Sequence, residues 1–186
     1  PAIVWNKTGD AWAYSIEGLP RYQKGTLIPI VYSVAETPVA DYTPDVDTTF
    51  GSVNPENGDV TDANFTNTLD TISILGSKTW SDQSNRYGMR PGSIALSVYA
   101  DGVKIPKQPA ITWDKIDDVW SYSIEGLPRY QKGKATPVKY SVVETPVADY
   151  TPDSDTATGT VGTGGNVTGA NFTNTLKTVS LSGSKT

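Results

Sequence analysis

The sequence predicts an all-β fold, a β-sandwich built as tandem repeats, and three observations predict it. Short runs alternate apolar and polar side chains, the two-residue period of half-buried strands. Turn formers punctuate those runs, with 17 Gly and 13 Pro among 186 residues. The chain also repeats itself. PAIVWNKTGDAWAYSIEGLPRYQKG at 1–25 returns as PAITWDKIDDVWSYSIEGLPRYQKG at 109–133, YSVAETPVADYTPD returns as YSVVETPVADYTPD, and ANFTNTL recurs at 63–69 and 170–176.

A third stretch, TISILGSKT at 71–79, comes back as TVSLSGSKT at 178–186. The period of roughly a hundred residues is that of a whole domain rather than a solenoid unit. The expected organisation is a domain over 1–69 lacking its N-terminal strands, a complete domain over 71–176, and the first strand of a following repeat at 178–186. One residue, Asp70 or Lys177, separates each domain from the next strand, so consecutive domains are expected to join with little freedom.

Taken in order, ISILGSKTW at 72–80 reads as a strand with Ile72, Ile74, Gly76, Lys78 and Trp80 on one face. Ile94, Leu96 and Val98 share the face of a second strand, which Ala100-Asp101-Gly102 turns back as a hairpin. Trp120, Tyr122 and Ile124 line a third strand, expected to end at Gly126 and Pro128. Val138, Tyr140, Val142 and Glu144 share one face of a fourth, and Phe172 and Asn174 one face of the last. The Gly- and Thr-rich stretch 156–169 reads as a flexible loop. No segment has helical periodicity.

Composition narrows the chemistry. The net charge of −5 argues against nucleic acid or an anionic membrane as a partner. No run approaches the ~18 apolar residues of a membrane span, and no leader is visible. Cys and His are both absent. Their absence removes thiolate catalysis, Ser–His–Asp triads and ordinary zinc sites. The carboxylates of DYTPDVD (41–47) and DYTPDSD (149–155) lack EF-hand spacing and read as solvated acidic loops. No metal or cofactor is expected. Trp80 and Trp120 belong to the core by parity, whereas Trp5 and Trp113 are left undecided.

Three polar residues then stand out on inward faces: Lys78, Glu144 and Asn174. One reading is a buried Lys78–Glu144 salt bridge with Asn174 hydrogen-bonded nearby. The other is chemical. Burial disfavours charge, lowering the lysine pKa and raising that of the glutamic acid. A neutral amine can attack the Asn carboxamide while the acid shuttles protons, expelling ammonia and leaving a Lys–Asn isopeptide bond.

GSKTWSD, RPGSIALSVYADG, WSYSIEGLPRY, PVKYSVVET and NFTNT, in that order, resemble the B-type repeat of Gram-positive collagen adhesins, the Cna-B domain. The resemblance covers all of 71–176 and most of 1–69. It implies an immunoglobulin-like or prealbumin-like sandwich and an intramolecular isopeptide bond assisted by an acid. By motif, those residues are Lys78, Asn174 and the assisting Glu144. Asn171 is a poorer candidate than Asn174, because its spacing from Phe172 turns it outward. Glu36 (assisting) and Asn67 occupy the equivalent places in 1–69, and Lys185 is the lysine that opens the next repeat.

The resemblance also implies a place on the bacterial cell surface, cell wall-anchored through regions elsewhere, and a structural role as a stalk or spacer. The expected partners are neighbouring repeats, with strand exchange between chains through Lys185, Glu36 and Asn67 as a further expectation. The alternative function is recognition of a host matrix protein or glycan, either by the repeats or by other regions, with repetition raising avidity. A turnover enzyme is not expected, since the Lys–Glu–Asn set reacts once with itself.

Overall fold

The computed structural model describes Pro1–Thr186, which forms two compact units. The first comprises Pro1–Val39 and Pro44–Thr68, and the second Ala40–Thr43 and Leu69–Thr186.

Up to Leu69 the elements are β1 (Ile3–Thr8), β2 (Ala11–Ile16), β3 (Val34–Ala35), β4 (Tyr42–Pro44), β5 (Thr48–Thr49), β6 (Ser52–Val53), β7 (Val60–Thr61) and β8 (Asn67–Leu69). β1 and β2 make a hairpin around Gly9-Asp10, in register from Ile3–Ile16 to Thr8–Ala11. β3 pairs with β5, and β6 with β7. The Tyr14 hydroxyl donates to the Ala63 carbonyl, joining the hairpin to the stretch before β8. No residue of this unit is fully buried, and Trp5 and Trp12 are both more than half exposed.

The second unit continues with β9 (Thr71–Ser81), β10 (Leu96–Ala100), β11 (Val103–Lys104), β12 (Thr112–Ile116), β13 (Val119–Pro128), β14 (Tyr140–Glu144), β15 (Tyr150–Pro152), β16 (Thr156–Ala157), β17 (Thr160–Val161), β18 (Val167–Thr168) and β19 (Phe172–Leu176). One sheet runs β11-β10-β14-β16. The other runs β12-β13-β9-β18-β17, with β19 paired to both β9 and β15. β9 is its axis: antiparallel to β13, parallel to β18 along its first half and to β19 along its second.

The inward faces follow from strand parity. Ile72, Ile74, Val98, Tyr122, Ile124, Tyr140, Val142, Val167 and Phe172 close one core between the sheets. Trp80, Trp120 and Tyr150 form a second cluster at one end, their rings packed edge-on at 5.0–5.2 Å from Trp80. Trp113, undecided from sequence, is half-buried against Trp120 and Tyr122. Gly76 is required where it stands. A Cβ there would lie 2.1 Å from the Ala170 carbonyl oxygen and 2.5 Å from the Tyr122 ring. Tyr122 crosses that gap, and its hydroxyl donates to the Ala170 oxygen at 2.5 Å.

β13 ends at Pro128, as the Gly126 and Pro128 signals lead one to expect. Gly126 lies just inside that end at φ 70°, in a register shift between Ile124 and Leu127, where a left-handed glycine supplies a bulge. The structure corrects one expectation: the stretch 156–169 is not simply a flexible loop. It contains β16, β17 and β18, and Val167 is 3% exposed with Ile74 as its register partner. Strands of two residues are too short to display alternation. The Ala100-Asp101-Gly102 hairpin is present, with Asp101 and Gly102 both at positive φ.

Candidate functional site

Lys78 lies on β9, Asn174 on β19 and Glu144 on β14, so the trio draws on both sheets. In the parallel β9–β19 pair Phe172 faces Lys78 and Asn174 faces Trp80. Asn174 is therefore one step of the two-residue period from Lys78's partner, on the same inward side. Glu144 ends β14 in the opposite sheet and reaches across the interior. All three are buried, Lys78 and Asn174 at 0% exposure and Glu144 at 2%.

Lys78 Nζ sits 2.9 Å from Glu144 Oε1 and 3.0 Å from Oε2. Only Oε2 is aligned to accept a hydrogen bond from the amine. Burial pulls the Lys78 pKa below its ordinary value. The hydrogen bond and charge of Glu144, and then the charge of Asp153, oppose that shift without cancelling it. The Trp80 ring centroid lies 5.0 Å from Nζ. Tyr122, desolvated and facing the charge of Glu144, is held neutral well above the normal phenol range.

The Asn174 carboxamide is anomalous. Neither its Oδ1 nor its Nδ2 has a hydrogen-bond partner, although the residue is fully buried. Each such atom costs on the order of 1–3 kcal/mol. Asn171, by contrast, is exposed, and its Oδ1 accepts from the Ser77 backbone N–H at 3.0 Å and the Ser77 hydroxyl at 3.1 Å.

In the first unit Asn67 Nδ2 donates to both Glu36 oxygens, at 3.0 and 3.1 Å, while Asn67 Oδ1 is buried and unpartnered. Glu36 thus meets Asn67 where Glu144 meets Lys78. Lys185 is exposed, in the segment 177–186, which forms no strand.

One polar cluster escaped the sequence reading. Asp82, 3% exposed, accepts from Arg90 Nε at 3.0 Å and Nη2 at 2.6 Å, from the Asn85 N–H at 2.9 Å and from the Tyr150 hydroxyl at 2.9 Å. Arg90 also pairs with Asp118 at 2.5 Å and lies over the Trp80 ring. The Arg90 hydrogen bonds hold the Asp82 carboxyl at about 2. Parity could have found it, since Asp82 continues the Lys78–Trp80 face by one step. The cluster seals the Trp80 end of the core, beside Lys78.

The chain matches the Cna protein B-type domain over residues 3–63 and 74–175. It belongs to that family. It is 35% identical over 146 residues to the collagen adhesin of Staphylococcus aureus, a match covering 76% of this chain and 11% of the adhesin. Two solved structures are similar. The B1B2 pair of repeats of the Staphylococcus aureus collagen binding protein is 27% identical, with a TM-score of 0.44, covering 94% of this chain and 42% of that one. The single B1 repeat is 24% identical, with a TM-score of 0.41, covering 95% and 85%. This Cna-B chain is accordingly a tandem-repeat segment of an extracellular, cell-wall-associated surface protein, in a family that is structural rather than catalytic.

Proposed function

We propose that this Cna-B segment acts as a tension-carrying spacer whose second unit closes with an autocatalytic isopeptide bond between Lys78 and Asn174. The observation that carries this reading is Asn174, fully buried with both carboxamide atoms unpartnered, on the strand paired in parallel with that of Lys78, a lysine whose charge is disfavoured by burial. In the proposed step the neutral Nζ of Lys78 attacks Cγ of Asn174. Glu144 takes the proton that the amine loses and returns it to the departing nitrogen. The C–Nδ2 bond breaks, ammonia leaves, and one secondary amide remains. The bond ties β9 to β19, so a pull along the chain would pass through a covalent link.

In the same reading 71–176 is the complete repeat, 1–69 lacks its N-terminal strands, and 178–186 is the first strand of a following repeat. Intact mass tests the chemistry. Folded protein should be lighter than its sequence by one ammonia, and Lys78→Ala should restore the full mass. An unshifted mass in folded wild-type protein would leave a plain Lys78–Glu144 salt bridge.

A second assembly rests on the partial sets. Asn67 Oδ1 is buried without a partner, and Lys185 is exposed on a segment that repeats the β9 sequence. A strand of one chain could thereby enter the first unit of another and link Lys185 to Asn67 with Glu36 assisting. A Lys185–Asn67 cross-linked peptide in a protease digest would support it. Monomers alone, without that peptide, would end it.

A further inference from the structure

Ala40–Thr43 belongs by sequence to the first repeat but is packed into the second unit. Asp41, in the left-handed region at φ 73°, is its anchor. Its carbonyl accepts from the Asp70 N–H at 2.8 Å, and one carboxylate oxygen accepts from the Gly133 N–H at 2.7 Å. Asp70 is fixed on its other sides, its carbonyl accepting from the Arg129 N–H at 2.9 Å and its carboxylate from the Thr43 hydroxyl at 2.6 Å. Within the second unit, the turn at Ala40–Thr43 thus grips the QKG turn at 131–133.

Both halves of this contact occur again, unused. Asp149 is the counterpart of Asp41: it has φ 66°, and its carbonyl accepts from the Lys177 N–H at 2.9 Å. Its carboxylate is exposed and meets no amide. Beside it Tyr87, Met89 and Leu176 line an open cleft of about 380 Å³, with Tyr87 and Met89 largely uncovered. The turn that would fill the place is recognisable too. In 131–136 the Gln131 N–H donates to the Thr136 carbonyl and the Lys134 N–H to the Gln131 carbonyl, and Gly133 has φ 69°. The turn at 23–28 repeats this pattern through Gln23, Ile28 and Thr26, with Gly25 at φ 73° and exposed.

We propose that Asp149 and the adjoining Tyr87–Met89–Leu176 surface form a docking site for the QKG turn of a following repeat. The Asp149 carboxylate accepts that glycine's N–H as Asp41 accepts Gly133's. Recognition is of a backbone amide in a left-handed turn, so any repeat carrying Q-K-G in that conformation fits. The site is independent of the isopeptide chemistry.

The test extends the full chain past Thr186 with a copy of 80–176, completing a third repeat, and follows amide hydrogen exchange by NMR. The copied glycine should exchange about tenfold more slowly than Gly25, the scale of one hydrogen bond to a charged acceptor, and Asp149→Ala should remove that protection. Asp41→Ala in the unextended chain should do the same to Gly133. Asp149→Asn keeps an acceptor oxygen and should retain part of the protection. A copied glycine that exchanges at the Gly25 rate, or that ignores Asp149→Ala in a folded chain, overturns the proposal. Gly25 protection that rises with concentration of the unextended chain, and is lost in Asp149→Ala, overturns it in favour of a second copy as occupant.

Discussion

Lys78 is caught between two demands. Burial asks it to shed its proton, and Glu144 at 2.9 Å asks it to keep one. The net shift is downward, and its sign sets a pH dependence. In an unlinked variant such as Asn174→Ala, the unfolded lysine binds a proton more tightly than the folded one. Stability should therefore rise with pH, through the window between the lowered folded pKa and the ordinary value of 10.5. Chemical denaturation of Asn174→Ala at several alkaline pH values checks this, and the cross-linked protein should show no such window. Asp82 has the opposite signature. Its folded pKa of about 2 gives stability that is complete above the unfolded value near 3.9 and lost as pH falls towards 2. Glu144→Gln removes the proton carrier while preserving shape, and should slow ammonia loss by about 100-fold or more, read as the mass of freshly refolded protein over time.

Among the elements, β9 bears the greatest consequence, because β13, β18 and β19 all pair with it. Gly76→Ala would push a methyl into Tyr122 and the Ala170 carbonyl, and should cost about 1–3 kcal/mol by thermal or urea unfolding. Arg90→Ala leaves the Asp82 carboxylate buried without its cation, and should cost about 3–5 kcal/mol in the same measurement. The sequence made β9 legible because eleven residues suffice to display a two-residue period, and Lys78 stood out within it. The same parity exposed Glu144 and Asn174 on distant strands. It failed where the physics is not periodic: the bulge at Gly126, the two-residue strands inside 156–169, and Arg90, whose role depends on a loop folding back over Trp80. The unpartnered state of the Asn174 amide was also invisible, since satisfaction of a buried group depends on every neighbour at once.

At the scale of the whole chain, the two units should differ in endurance. The first has no fully buried residue, whereas the second closes a continuous core around Ile74, Val98, Ile124, Val142 and Phe172. Limited proteolysis should cut within the first unit well before the second, as fragment masses over time would show. Repeat organisation and fold class were legible because near-identical segments recur along the chain. The assignment of Ala40–Thr43 to the second unit was not, because nothing local in that tetrapeptide marks where it packs. On the proposed chemistry, a cross-link closing a loop of roughly a hundred residues is worth about 5 kcal/mol by chain entropy, and Lys78→Ala should forfeit it. The position of Glu144 has one more consequence. The acid belongs to the sheet facing its two partners, so the three groups meet only once both sheets have come together. On the proposed chemistry, ammonia loss would be a permanent chemical record that a given molecule has folded at least once. Denaturing a sample would not erase that record, and the missing mass would count the molecules that carry it.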